Sequence, residues 1–141
     1  MHSTVMDLTD GIFWAAAPPH QLGKFVAFDV QDFNHELPQA AISEDPTLTS
    51  GEYDSAVEAE RCLENGFRAL KKRDPQGALG LAEKAESLNP GFYECATLKG
   101  RALLALGRKA EAAAAFQAAL TAKPAFLAER TQLQGLLEQT K

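Results

Sequence analysis

The sequence predicts a mainly α-helical protein, built as a solenoid of helical hairpins that follows a non-repeat N-terminal segment. Residues 59–92 laid over residues 93–126 match at seven positions, which include a glycine, two alanines and a proline in the spacing G-x11-A-x6-A-x4-P. Each residue of the second copy follows its equivalent in the first copy by the same number of positions, as residue 93 follows residue 59. We call this spacing the repeat interval. The same region contains residues that are typical of helix starts and helix ends. Residues 1–50 differ in composition, so we expect two parts, 1–50 and 51–141.

The N-terminal segment is acidic and aromatic. Residues 1–50 carry one base and seven acids, and they hold Trp14 together with four of the eight phenylalanines. A disordered tail is poor in such residues, so we expect much of this segment to pack. The apolar stretches 11–17 and 24–30 are consistent with a β-hairpin, and equally with an extended arm or short helices laid over the repeat. We interpret residues 38–51 as a linker.

Local signals place the helices of the second part. Residues 49–52 (Thr-Ser-Gly-Glu) predict a capping box for a helix that runs to about residue 72. Asp74 and Pro75 supply an N-cap and a first-turn proline for a second helix, which ends near residue 89. Gly107 ends a third helix, and an alanine-rich fourth helix spans about residues 108–122.

A fifth helix, at about residues 125–139, is predicted to cover the end of the array. It follows Pro124 and carries an amphipathic apolar stripe. The stripe consists of Phe126, Leu127, Leu133, Leu136 and Leu137.

The matching positions of the two copies have physical reasons. A glycine is needed where a neighbouring helix crosses so closely that a side chain would collide. Alanine fits the facing surface of the second helix, where only a methyl group has room, and proline ends that helix. The matched pairs are Gly66 and Gly100, Ala78 and Ala112, Ala85 and Ala119, and Pro90 and Pro124.

With these residues the chain resembles the tetratricopeptide repeat (TPR), a helix–turn–helix unit of about 34 residues. The second copy carries the resemblance most closely, through residues 96–107 followed by Ala112, Phe116, Ala119 and Pro124. The first copy departs from the family pattern, since it has small residues where the family favours tryptophan, tyrosine and phenylalanine. These residues are Cys62, Ala69 and Ala82. The resemblance implies two repeats, at about 59–92 and 93–126, and a capping helix.

The resemblance also implies a function, because the first helix of each repeat lines a concave groove in that family. Carried over by position, the predicted partner-binding residues are Leu63, Phe67, Leu70, Lys71, Thr97, Arg101, Leu104 and Ala105. A mainly apolar groove suits an amphipathic helix or an apolar peptide of a partner protein. Arg101 and Lys71 are then expected to meet an acidic group of that partner.

Alternatives stay open at this point. The aromatic N-terminal segment itself is one candidate occupant of the groove, and a symmetric homodimer is another. The chain also fits a substrate-recruiting TPR domain of a larger modifying enzyme such as a protein glycosyltransferase. A metal-dependent enzyme is the alternative of another class, with Asp29, Asp32, His35 and Glu36 as ligands, although such a cluster is more typical of a solvated polar face.

Charge, cysteine spacing and the lack of known motifs argue against several further classes of function. The net charge is −5 without a basic stripe, which argues against nucleic-acid and anionic-membrane partners. Cys62 and Cys95 lack metal-ligand spacing and are expected to be small buried thiols. The sequence contains no recognised catalytic or cofactor-binding motif, so we expect a non-catalytic protein without a cofactor. The N-terminus does not have the pattern of a signal peptide, which predicts a cytoplasmic location.

Overall fold

The computed structural model describes residues 3–19 and 22–141, and it divides into two compact units, Met1–Asp54 and Ser55–Lys141. The described part of the chain is mainly helical, as predicted, and it also contains a four-stranded sheet. None of its helices is both long and apolar enough to span a bilayer. Residues 20 and 21, between the apolar stretches 11–17 and 24–30, lie outside the described residues.

The first unit contains an antiparallel sheet with the strand order β1-β2-β3-β4. The hairpin alternative is confirmed, because β2 pairs with β3 from Ile12 opposite Asp29 to Ala16 opposite Phe25. The extended arm and the short helices were wrong for this stretch, and the outer two strands were not predicted. The strands are β1 (Thr4–Asp7), β2 (Ile12–Ala16), β3 (Phe25–Asp29) and β4 (Asp32–Glu36).

The segment interpreted as a linker is ordered against this sheet. It forms a 3-10 turn at Pro38–Ala40 and a one-turn helix, α1, at Thr47–Ser50. The indole Nε1 of Trp14 donates a hydrogen bond of 2.8 Å to the carbonyl of Ala40. Phe25 and Ile42 exchange backbone hydrogen bonds of 3.0 Å in both directions. The linker prediction was wrong because these bonds tie the segment to the strands.

Five helices follow, with bounds close to those predicted. The capping box at 49–52 was wrong, because Gly51 has a left-handed backbone (φ 82°) that separates α1 from the next helix. Asp74 caps α3 as predicted, since its Oδ1 accepts a hydrogen bond of 2.9 Å from the N–H of Gly77. The helices are α2 (Glu52–Lys71), α3 (Pro75–Leu88), α4 (Tyr93–Ala105), α5 (Lys109–Thr121) and α6 (Leu127–Glu138).

The helical unit repeats its local geometry at the same interval as its sequence. The start of α3 is separated from the start of α5 by one repeat interval, and so is the start of α4 from that of α6. The N–H of Asp74 donates to the carbonyl of Ala69 at 2.9 Å, and the N–H of Arg108 donates to the carbonyl of Leu103 at the same distance. The spacing found in the sequence is therefore a spacing of backbone structure too.

The repeated glycines and alanines lie where the helices approach one another. A Cβ atom on Gly66 would collide with the side chain of Leu98, and one on Gly100 would collide with the ring of Phe116. The four matched alanines are completely buried in the same core. The roles predicted for these small residues are confirmed.

Helix α6 packs on α5 with only part of the predicted stripe. Leu133 is buried in the core, and Leu136 and Leu137 pack against it. Phe126 and Leu127 are 68% and 77% exposed, so their assignment to the covering stripe was wrong. They lie at the start of the helix, before its first full turn, where they do not reach the core.

Candidate functional site

The surface along α2 and α4 brings two of the predicted partner-binding residues together. Phe67 on α2 and Arg101 on α4 are equivalent positions, separated by one repeat interval. The Cζ atom of Arg101 lies 5.9 Å from the centroid of the Phe67 ring. At this distance the ring quadrupole attracts the guanidinium cation.

Arg101 has a buried donor that is not used. Its Nε atom is removed from solvent, and no acceptor from the described residues meets it. Leaving such a donor unsatisfied costs roughly 1–3 kcal/mol. The guanidinium of Arg101 therefore lies on Phe67, at a position that is half-exposed.

The other predicted residues differ in their surroundings. Leu70 and Leu104 are half-buried and pack against the core, while Lys71 and Ala105 are exposed. The hydroxyl of Thr97 donates a hydrogen bond of 2.9 Å to the carbonyl of Tyr93, four residues earlier on α4. Thr97 therefore satisfies its donor within its own helix. The surface as a whole is an apolar strip with cationic groups on it.

Leu63 does not belong to this surface. It is 3% exposed and lies in the core, with Ala59, Cys62 and Gly66 as buried neighbours on α2. These positions follow the i, i+3, i+4, i+7 spacing of one helix face. That face turns toward the core, so a partner cannot contact Leu63 and its assignment as a binding residue was wrong.

Two side chains at the start of α4, Tyr93 and Cys95, have raised pKa values. Burial first, and then the nearby carboxylates of Glu129 and Glu94, raise the pKa of Tyr93 well above its ordinary value. Burial and the carboxylates of Glu86 and Glu94 raise the pKa of Cys95 to about 11. A thiol that is buried and protonated at neutral pH is a poor nucleophile. Cys62 is buried as well, as predicted.

A second concave feature was not predicted from the sequence. A cleft of about 330 Å³ lies between α3, α4 and α5. Its rim carries an ion pair of 2.8 Å between Lys99 and Glu86. The only sequence signal for it is the run of alanines on α5, which leaves space that larger side chains would fill. The lining residues are Glu86, Ala96, Lys99, Leu103, Glu111, Ala114, Ala115 and Ala118.

The acidic residues considered as metal ligands lie on the sheet, not on a helix. Nδ1 of His35 and Oδ2 of Asp32 are 2.6 Å apart on exposed β4. This hydrogen bond, followed by one from the backbone of Asn34, lowers the pKa of Asp32. Across residues 3–19 and 22–141, no three His, Cys, Asp or Glu side chains are grouped so that they could hold a metal ion.

Comparison with protein-family models, curated proteins and solved structures finds no match to this chain. The resemblance to tetratricopeptide repeats therefore rests on the residues of the chain itself.

Proposed function

We propose that helices α2 to α6 form a TPR-like array that binds a segment of a partner polypeptide and has no catalytic role. The repeat interval of the helices, the collisions that glycine avoids and the buried alanines support such an array. The binding surface is the strip of Phe67, Leu70, Arg101 and Leu104 along α2 and α4, with Lys71 and Ala105 on its exposed part. We call it the α2/α4 strip.

The position of the Arg101 guanidinium is the main observation that supports this proposal. This guanidinium lies on an aromatic ring, at a half-exposed position of the strip. An amphipathic partner segment with an acidic residue beside its apolar face suits this half-exposed arginine and the apolar side chains around it. The carboxylate accepts from Arg101 in a charge-assisted hydrogen bond, and the apolar side chains cover Phe67 and Leu104.

The test compares which proteins the full chain and its variants capture from a native lysate. Ala105→Glu adds bulk and negative charge to an exposed position of the strip, and Arg101→Met keeps the stem but removes the guanidinium. Ala110→Glu, at an exposed position on α5, is the matched control. We expect one set of captured proteins to be lost with both strip variants and kept with the control. Capture that is the same for all four proteins would contradict the proposal.

A further inference from the structure

Helices α2 and α4 run in the same direction along the α2/α4 strip. Three pairs of neighbouring residues connect the two helices, and a later residue of α2 always meets a later residue of α4. Two pairs are close contacts, and the third follows from the Cys62 thiol, which after burial and nearby carboxylates helps to raise the pKa of Cys95. The pairs are Cys62 with Cys95, Gly66 with Leu98, and Phe67 with Arg101. Equivalent positions of the two helices therefore lie at the same level of the strip.

Two glutamates lie on this surface, two helical turns before Phe67 and Arg101. Glu60 and Glu94 are separated by one repeat interval, and each precedes its strip residue by seven positions. Side chains at positions i and i+7 of an α-helix share one face. Glu60 is exposed, whereas Glu94 is half-buried and accepts a hydrogen bond of 3.3 Å from the hydroxyl of Tyr93. We call this pair of glutamates the acidic row.

The surface along α2 and α4 thus carries opposite charges at two levels. Arg101 lies at the level of Phe67, and Lys71 lies one turn further along α2. The acidic row lies about 10 Å before Phe67, at a rise of 1.5 Å per residue. This separation is too large for the two levels to form ion pairs with each other.

Neighbouring charges reinforce the acidic level. Glu129 on α6 approaches the hydroxyl of Tyr93, and after burial it is the carboxylate that most raises the pKa of this tyrosine. Arg130, the next residue, is equivalent to Ala96, which lines the cleft between α3, α4 and α5 instead of the strip. Lys123 lies in the turn before α6, outside both strip helices.

The cationic level keeps its excess of positive charge as well. At the end of α2, Lys71 is followed by Lys72 and Arg73, and the one carboxylate there, Asp74, caps α3. Gly135, the residue of α6 equivalent to Arg101, is uncharged. The polarity of the surface is therefore a property of both strip helices.

The charges on this surface are not used for ion pairs within the described chain. On another face of α2, Glu58 pairs with Lys84 at 2.9 Å. Glu64, which borders the strip, pairs with Arg68 at 3.2 Å. Within residues 3–19 and 22–141, the strip residues that take part in no ion pair are Glu60, Lys71, Glu94 and Arg101.

We propose that the strip binds an amphipathic partner helix on which an acidic and a basic residue lie two turns apart beside the apolar face. The acidic residue meets Arg101 and Lys71, the basic residue meets the acidic row, and apolar side chains cover Phe67. The inference rests on the function proposed for the strip and adds the second charge of the partner and its orientation. Complementary charges across an interface mainly fix orientation and speed association.

The test uses the full chain and a fluorescent synthetic helix of about 18 residues, or five turns. It carries a leucine stripe with one glutamate and one lysine two turns apart beside it. A control peptide has the same composition, with the lysine moved to the opposite side of the helix. Fluorescence anisotropy measures binding. We expect saturable binding of the designed helix, and about threefold weaker binding of the control peptide.

Charge variants of the acidic row test the basic contact directly. Glu60→Gln is expected to weaken the binding of the designed helix about threefold and to leave that of the control peptide unchanged. Glu83→Gln removes the same charge from an exposed position on α3 and should change neither. Glu60→Lys should weaken binding about tenfold, and a peptide with glutamate in place of its lysine should recover most of this loss. Circular dichroism checks that each variant is folded.

Arg101→Met distinguishes a failure of this inference from a failure of the proposed function. Binding that weakens with Arg101→Met but not with Glu60→Gln would overturn the inference and leave the strip as the binding surface. Binding that neither variant changes, or no saturable binding, would also overturn it, and the proteins captured from the lysate would then decide the proposed function alone. A concentration-dependent dimer that disappears with Glu60→Lys would assign the strip to a second copy of this chain instead.

Discussion

Arg73 and Gly107 are separated by one repeat interval and share a left-handed backbone, with φ angles of 63° and 77°. Each residue follows the last turn of a helix, and each donates a 3.0 Å backbone hydrogen bond to a leucine carbonyl three residues earlier, Leu70 and Leu104. The left-handed conformation is strained for a residue with a Cβ atom and free for glycine. The same turn is thus strained in the first hairpin and relaxed in the second.

This difference predicts opposite effects of two substitutions. Arg73→Gly is expected to raise the free energy of unfolding by up to about 1 kcal/mol, because it relieves the strained backbone. Part of this gain is offset, since glycine gives the unfolded chain more conformational entropy. Gly107→Ala is expected to lower it by about 1 kcal/mol. Urea unfolding followed by circular dichroism measures both. Equal shifts of the same sign would contradict the prediction.

Gly100 and Gly80 are both glycines inside helices, but their surroundings differ. A methyl group on Gly100 meets the ring of Phe116, which is itself fully buried, whereas a methyl group on Gly80 meets open space. We expect Gly100→Ala to destabilise the helical unit by about 1–3 kcal/mol through overpacking. Gly80→Ala is expected to stabilise it by up to about 1 kcal/mol through helix propensity. Thermal unfolding of the two variants against the parent chain tests this contrast, and a stable Gly100→Ala variant would show that the helices can move apart.

The raised pKa of Cys95 predicts that the protein loses stability in mild alkali. Because the folded pKa is about 11 and the ordinary value is 9.0, the folded state binds more protons than the unfolded state between these values. The free energy of unfolding therefore falls as pH rises through this window, and the contribution is fully present below pH 9. Denaturant unfolding of the parent and of Cys95→Ala at pH 8 and pH 10 measures the difference. The variant should lose less stability than the parent over this interval, and parallel losses would contradict the assignment to Cys95.

The bond between Trp14 and Ala40 predicts a protected indole. Its N–H should exchange slowly with solvent deuterium in NMR spectra, since it is donated to a carbonyl at 2.8 Å. Trp14→Phe keeps an aromatic ring but leaves that carbonyl without its donor, which is expected to cost about 1 kcal/mol in the sheet unit. Amide exchange of the β2 and β3 strands reports this cost. Fast exchange of the indole N–H in the parent chain would refute the bond.

The sequence predicted the features that depend on spacing along the chain. The repeat interval located Gly66, Gly100 and the buried alanines correctly, since a collision at a helix crossing permits few residue types. Asp74 was identified as a cap because its role depends on the next three residues alone. The helix bounds were predicted to within a few residues because the residues that begin and end helices are also local signals.

The features missed depend on contacts between distant residues or on the direction of a side chain. Strand β4 reads Asp-Phe-Asn-His-Glu and has little β propensity of its own, so its pairing with β3 supplies the structure. Leu63 was placed on the binding surface because a family position does not show how far α2 is turned toward the core. The contact between Arg101 and Phe67 depends on the rotamers of two side chains, which no spacing specifies.

Helices α3 to α6 each contact their neighbour in the chain, with α3 against α4, α4 against α5 and α5 against α6, and α2 also meets α4 through Phe67 and Arg101. Contacts so close in sequence cost little loop-closure entropy, and domains built from them fold rapidly. Such an array also has two ends, and its end helices have fewer neighbours than its inner helices. We therefore expect unfolding to begin with α6, whose release uncovers Leu133 while α4 and α5 stay folded.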